Sequence, residues 1–368
     1  MSFKRVLTIG GATLDTIICY EKMETMELKN KEGSKSYLLL EEGAKIEVTD
    51  QKTYSGGGAT NAAVSFKRQG YDVSFFGKVG HDRGGDMILN ELEEAGINVS
   101  FARRSKSYAT ANSFIVPSLK GDRTVFAYRG ANTAVLTEDL PEKAIQHSDF
   151  VYVTSLSKDS AARLPEIVSM ANKSDVKVAM NPGNSQLVVG SGFVKSALDG
   201  VDILLLNFEE AQLLMVSLVN TDDKMRQNLE ETSKYHGEEL LDSHVEYQNI
   251  RFSLRQFFKE VLNLGPRIVV VTNGSEGVYV ATKEKLYFHP PLIKTEVINT
   301  LGAGDAFASG FVGAIYQDKS IEDSILYGIL NSGSVIGYQD AKTGLLTKAQ
   351  LEKGSKNCDN SGLSVINW

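Results

Sequence analysis

Asn299-Thr300-Leu301-Gly302-Ala303-Gly304-Asp305-Ala306-Phe307 sets a run of small residues directly ahead of a helical pattern reaching from about Ala306 to Tyr316. The amides of a helix's first turn have no partner inside the helix, and the helix dipole puts partial positive charge there. A phosphate can therefore rest on Gly302, Ala303 and Gly304, where glycine permits close approach. Asp305 has two readings at this position. Aspartate is a favoured helix cap. It is also suited to take a proton from a hydroxyl attacking a phosphate, because phosphoryl transfer needs an oriented nucleophile.

Upstream of this stretch, short apolar runs alternate with amphipathic ones. Val6 to Ile9, Val73 to Phe76, Phe150 to Val153, Val176 to Met180, Ile203 to Leu206 and Ile268 to Val271 read as strands buried on both faces. Helical patterns near Asn61 to Gln69, Asp86 to Ala95, Ala161 to Asn172 and Glu209 to Val216 lie between them. That order predicts an α/β domain with a mostly parallel sheet, whose ligands bind beyond the carboxyl ends of the strands. Tyr37 to Leu40, Lys45 to Val48, Asn112 to Val116 and Arg123 to Tyr128 read instead as strands without intervening helices. They predict a small antiparallel sheet, with a hairpin turn at Lys120-Gly121-Asp122. Thr221 to Tyr247 is polar and acidic and reads as a solvated helix or loop ahead of a helix pattern over Phe252 to Leu262; Gly354 to Gly362 reads as an extended surface tail.

The 368 residues are 42% hydrophobic and 23% charged, a globular composition that excludes long disorder. A net charge of −7 argues against a general nucleic-acid or anionic-membrane binder. No apolar run approaches the roughly 20 residues needed to span a bilayer. Cys19 and Cys358 form no metal-ligand spacing, and a reduced, cytoplasmic protein is expected. There is no Walker A sequence, no protein-kinase motif set and no pairing of His81, His147, His236, His244 and His289 that suggests zinc.

The 299–305 stretch resembles the C-terminal signature of the PfkB carbohydrate kinases, the ribokinase-like group. Gly56-Gly57-Gly58-Ala59-Thr60-Asn61-Ala62-Ala63, followed by Gly70 and Gly80, resembles that family's N-terminal signature. The resemblance runs from the first strand to about Ala341 and implies a three-layer α/β/α sandwich with a small β-sheet lid. Length alone suggests about two domains. The motif order instead implies one domain over residues 1–368, a lid from inserted segments at about 16–50 and 97–129, and a polar insertion at about 219–250.

The resemblance also implies roles. Asp305 would be the base and Gly302, Ala303 and Gly304 the anion hole; Asp15, Gly57, Gly58 and Asn61 would hold the sugar, with Arg129 reaching toward phosphate. Asn207-Phe208-Glu209-Glu210 resembles the family's Asn-x-x-Glu motif, with Asn207 near ATP phosphates and Glu210 organising Mg²⁺ through water; read locally, the same residues make a helix cap. Thr272, Gly274 and Gly277 resemble the nucleotide loop, which a plain hairpin turn would also explain, and Asn331 falls where the family places a residue beside adenine. The implied activity is ATP- and Mg²⁺-dependent phosphorylation of a sugar hydroxyl by a homodimer paired through its lid. Gly58 replaces the lysine usual in ribokinases, and their glutamate is missing near Ser157, which argues against ribose in the usual pose. Asn299 replaces the commoner aspartate and weakens the case for K⁺. A nucleoside kinase, with Tyr37, Phe101, Tyr108 and Phe114 stacking on a base, is the runner-up; a non-catalytic nucleotide or sugar sensor is a third reading.

Overall fold

The computed structural model describes residues 4–19, 24–30, 33–117, 123–188, 192–218, 237–248, 250–292, 296–358 and 360–368. The six apolar runs are strands of one nine-stranded sheet. Across it the order is Ser364–Asn367, Lys285–His289, Val278–Thr282, Ile268–Thr272, Ile203–Asn207, Lys177–Met180, Phe150–Val153, Arg5–Ile9 and Asp72–Phe76. Pairing is parallel from Asp72–Phe76 through Ile268–Thr272 and antiparallel beyond.

Alternation along each strand explains why the runs are apolar throughout. Val151 and Val153 enter one hydrophobic cluster while Phe150 and Tyr152 enter the other, so each strand feeds two cores. One core is closed by helices such as Leu164–Lys173, Phe208–Leu218 and Leu254–Asn263, the other by Gly58–Arg68, Arg83–Glu94, Ala303–Ile315 and Ile321–Val335. The result is the α/β/α sandwich the sequence implies. Arg5–Ile9 has Asp72–Phe76 on one side and Phe150–Val153 on the other. The chain reverses its direction of sheet growth there and opens a crevice at the strand ends.

A second sheet of four strands runs Arg123–Tyr128, Ala111–Pro117, Thr13–Cys19, Asp50–Gly56. Two of the expected strands belong to it, and two do not. Tyr37 to Leu39 lies in Gly33–Leu39, which pairs with Glu24–Asn30 in a separate hairpin, and Lys45 to Val48 is not a strand. The member nearest that point is Asp50–Gly56, whose sequence DQKTYSG lacks apolar alternation. It is a strand because Thr13–Cys19 pairs with it along its whole length. The Lys120-Gly121-Asp122 turn lies outside the described residues.

Three further expectations are corrected. Phe252 ends a short strand, Ile250–Phe252, and the helix begins only after Ser253, whose Oγ accepts from the Gln256 N–H at 3.2 Å. The 354–357 stretch is the end of a helix, Lys348–Asn357, started by Thr347, whose Oγ1 accepts from the Gln350 N–H. The described end of the 219–250 insertion is not merely solvated: Leu240, Leu241 and Val245 are buried in the core.

Phe66 is fully buried and meets Tyr71, Phe150 and Tyr152 edge-on, with ring centroids 5.4 to 5.6 Å apart. Phe66→Ala should lower the unfolding free energy by about 3–5 kcal/mol in a urea titration. A loss below about 1 kcal/mol would show that this core collapses around the deletion.

Candidate active site

Gly302 caps the Ala303–Ile315 helix in the left-handed region, with φ at 76°. An added Cβ there would lie 2.3 Å from the Ala341 Cβ, so both conformation and space select glycine. Asp305, in the helix's first turn, accepts a hydrogen bond on Oδ2 from Asn61 Nδ2 at 2.8 Å. Asn61 belongs to the Gly58–Arg68 helix, which starts from Gly57 at φ 98°. A side chain at 57 would strike the Gly11 carbonyl oxygen at 2.5 Å. The two signature motifs, 244 residues apart at Asn61 and Asp305, thus meet side chain to side chain.

A cavity of about 230 Å³ opens here. Asp15, Gly57, Asn61, Arg129, Gly302 and Asp305 line it, together with Ser113 and an apolar wall of Ile115, Val125 and Ala127 from the second sheet. Asn61 Oδ1 is buried without a protein partner, an acceptor left for a ligand. Ser113 sits opposite Asp15 in the parallel pairing and donates to its Oδ1 at 2.6 Å. Gly58 does not line the cavity; a Cβ there would come within 3.3 Å of Asp305 Oδ1, so its bareness leaves room beside that carboxylate.

A second cavity lies on the other side of the same helix start. It is lined by Thr272, Gly274, Gly277, Ala303 and Gly304, with Phe307, Ile329 and Ser332 behind them. A Cβ added at Gly274 or Gly304 would meet nothing within 4 Å, so both glycines face open space wide enough for an anion to reach the backbone. The 272–277 segment is also the hairpin turn: Ile268–Thr272 continues through it into Val278–Thr282. The turn reading of its glycines is therefore met, and the same glycines line the second cavity.

Asn207 and Glu210 line neither cavity and form a reciprocal cap. The Glu210 N–H donates to Asn207 Oδ1 and the Asn207 N–H to Glu210 Oε2, each at 2.8 Å. Asn331 is fully buried. Its Nδ2 donates to the Ala306 carbonyl and Ser65 Oγ, and its Oδ1 accepts from the Leu346 N–H, so its amide braces the active helix from below; its neighbour Ser332 is the residue at the cavity. None of Tyr37, Phe101, Tyr108 and Phe114 lines either cavity.

The carboxylates disfavour one another. Burial raises the Asp305 pKa, the Asn61 hydrogen bond opposes this, and the charge of Asp15 adds to it. Burial also raises Asp15, against the Ser113 hydrogen bond and the charges of Lys342 and Arg129. Glu210 is pushed by burial from 4.5 to about 7, lowered by the Asn207 N–H and raised by Asp305 and Glu209. A carboxyl of that kind fits a site completed by a cation. Among the described residues no cluster of three or more ligating side chains exists, and magnesium, which keeps its waters, needs none. Asn299 spends its amide on backbone groups, Nδ2 on the Gln339 carbonyl at 2.8 Å and Oδ1 on the Leu301 N–H at 3.0 Å. An amide also brings no negative charge to a monovalent cation.

Several site residues carry no motif. Asn132 staples the loop after the first strand, accepting from the Ala12 N–H and donating to the Ala12 carbonyl. Its place after Arg129-Gly130-Ala131 was the only available signal. Ser113 is identified only by strand register, and Phe307 and Ile329 read as ordinary core positions.

With this geometry in place, comparison with known proteins decides the family. Residues 16–348 match the pfkB family of carbohydrate kinases. The chain belongs to that family. This kinase is 28% identical over 305 residues to an ATP-dependent ribose-1-phosphate kinase of Halopiger xanaduensis, covering 83% of this chain and 88% of the relative. Its fold matches Arabidopsis thaliana ribokinase complexed with ribose and ATP at a TM-score of 0.73 and 18% identity, covering 97% and 100% of the two chains. A Methanocaldococcus jannaschii nucleoside kinase superposes at 0.69 and 19% identity, covering 97% and 99%. No helix among the described residues of the kinase is long and apolar enough to cross a membrane.

Because Glu210 protonates more readily folded than unfolded, the kinase should lose stability as pH rises from about 4.5 to about 7. Glu210→Gln should flatten that limb in urea unfolding measured at successive pH values. An unchanged slope would mean that the carboxyl is better solvated than its surroundings imply.

Proposed function

We propose that this kinase transfers the γ-phosphoryl group of ATP to a hydroxyl of a sugar or sugar-like acceptor, with Asp305 as general base. The observation that carries this reading is the pair of cavities meeting at one helix start, one lined by Asp305 and Gly302, the other by Ala303 and Gly304. An acceptor in the first and a triphosphate in the second would meet across the N–H groups of the helix's first turn.

In this reading Asp15, Gly57 and Asn61 hold the acceptor, with Asn61 Oδ1 receiving one of its hydroxyl protons. The reacting oxygen lies near Asp305, whose raised pKa suits a group that must accept a proton as the oxygen attacks. Amides at the start of the Ala303–Ile315 helix stabilise charge on the group in transit, the role of a preorganised anion hole. Among the described residues that line the acceptor cavity, Arg129 is the only cation. It answers negative charge on the transferring group or on the acceptor. Thr272, Gly274 and Gly277 bound the nucleotide. Mg²⁺ carried with ATP would neutralise charge on the phosphates, and Glu210, its pKa raised by burial and by the charge of Asp305, is the carboxylate we assign to hold it through water. We assign Asn331 a bracing role and no contact with adenine, and we assign no K⁺ site.

The second sheet acts as a lid, excluding water that would compete as acceptor. We place the kinase in the cytoplasm as a homodimer joined through that lid. Phe114 and Phe126 pair across the outer face at 47% and 51% exposure, on the strand pair at one end of the four-stranded sheet. A nucleoside acceptor is the second reading, favoured by the apolar wall of Ile115, Val125 and Ala127, against which a base would fit.

The test is ATP consumption over pentoses, hexoses, sugar phosphates, sugar acids and nucleosides. Asp305→Asn should cut turnover by about 10²–10⁴-fold. Near-normal turnover would sink the proposed base, and saturable binding with no turnover on any acceptor would favour a sensor. Separately, Phe126→Glu should convert the dimer to monomers in light scattering. A dimer that survives it pairs elsewhere.

A further inference from the structure

The turn at 339–342 joins the lid strand, the start of the Ala303–Ile315 helix and the Arg83–Glu94 helix. Gln339 Oε1 accepts from Lys52 Nζ at 3.1 Å and from the Tyr54 hydroxyl at 3.3 Å, both on the lid strand Asp50–Gly56. Its carbonyl takes the Asn299 amide described above. Ala341 is the residue that crowds Gly302. Lys342 then turns inward, with its side chain only 9% exposed, and Nζ donates to Ser55 Oγ on the same lid strand and to Glu91 Oε1, 3.0 Å away on the Arg83–Glu94 helix.

The acceptor aspartate lies against this arrangement. Asp15 pairs with Tyr54 in the antiparallel register, and a Cβ at Gly56 would strike Asp15 Oδ2 at 2.0 Å. The strand that Lys342 fixes is therefore the strand that shapes the pocket around Asp15. A buried ammonium is costly unless paired. Glu91, whose side chain is 42% exposed, supplies the largest part of that pairing, and the charges of Asp15 and then Asp340 add to it.

We propose that Lys342 is a positioning residue of the acceptor site: its ammonium pins the Asp50–Gly56 strand, with which Asp15 pairs, to the turn behind the anion hole, and so holds the Asp15 carboxylate in place for acceptor hydroxyls. This rests on the acceptor reading of Asp15. The charged groups facing Asp15 are Lys342 from the turn, Arg129 from the lid and Asp305 from the helix start. Those facing Lys342 are Glu91, Asp15 and Asp340. Of these, Lys342 and Arg129 favour the Asp15 carboxylate and Asp305 opposes it. Removing Lys342 therefore shifts Asp15 further upward, and acceptor binding is lost at a higher pH as the solution is acidified.

The experiment uses the full chain with Lys342→Met and Lys342→Arg. Carboxyl-carbon NMR titration, with Asp15 assigned through Asp15→Asn, should show its midpoint higher in K342M and near wild type in K342R. The acceptor KM of K342M should exceed that of wild type by a factor that grows as the pH falls, to at most about tenfold for each pKa unit by which Asp15 rises, and converge on wild type at high pH, while the ATP KM stays within about twofold. If K342M does not fold, K342Q, which keeps a donor for Ser55, takes its place with the same expectation. An unmoved Asp15 midpoint overturns the proposal, as does a rise in both KM values that is equal at all pH. Asp15→Asn with an unchanged acceptor KM overturns instead the acceptor reading on which the proposal rests, and the NMR titration separates the two failures because it needs no turnover.

Discussion

A helix that must begin on a left-handed glycine, in contact with Ala341, can point its first turn in only one direction. Gly302 imposes that constraint, and the rest of the site is arranged around it. With no side chain at 302 or 304 and only a methyl at 303, the opening amides face both cavities, while Asp305 in the first turn reaches the Asn61 amide. Neither cavity alone suggests group transfer. Their common boundary does, because it is made of backbone donors and one carboxylate. The phosphate chemistry proposed here needs no basic patch, which reconciles it with a net charge of −7.

How much of this was legible in the sequence depends on what held each element in place. The six strands of the main sheet announced themselves because burial on both faces demands unbroken apolar runs. The turn at 302–304 was legible because its bare backbone leaves a sequence trace. Asp50–Gly56 was not, since DQKTYSG owes its strand state to pairing with Thr13–Cys19, a tertiary cause that local pattern does not carry. Lys45 to Val48 misled for the complementary reason: its β-branched residues suit a strand, but among the described residues no strand pairs with them. Asn207 and Glu210 proved to be the reciprocal cap that local chemistry suggested. Asn331 was singled out only because the resembled family places a residue beside adenine there, and its burial and spent amide follow from packing against the Ala306 turn, which local pattern does not record.

Three acids crowd the functional end of the molecule, and each makes ionisation harder for another. Asp15 raises Asp305, and Asp305 raises Glu210. Such a grouping would be avoided by a chain selected for stability alone. Asn61, Ser113 and Asn132 absorb part of the strain through hydrogen bonds that hold Asp305, Asp15 and the neighbouring loop in fixed positions. The remainder is relieved only by positive charge or by donors that arrive with ligands, so the site's electrostatics are complete only when it is filled.

The second sheet has its own logic in time. Its central pairing joins Thr13–Cys19 in parallel to Ala111–Pro117, with the Asp15 and Ser113 contact 98 residues apart in sequence. The Gly58–Arg68 helix, the Asp72–Phe76 strand and the Arg83–Glu94 helix all lie within that loop. Long-range parallel pairing bears the loop-closure entropy before any contact rewards it. The main sheet can begin assembling from neighbouring βαβ units, whereas this one cannot zip until the whole intervening segment has been placed. The cover of the acceptor cavity is thus a late product of folding, and a chain stalled just short of the native state would possess a finished core and an unfinished pocket.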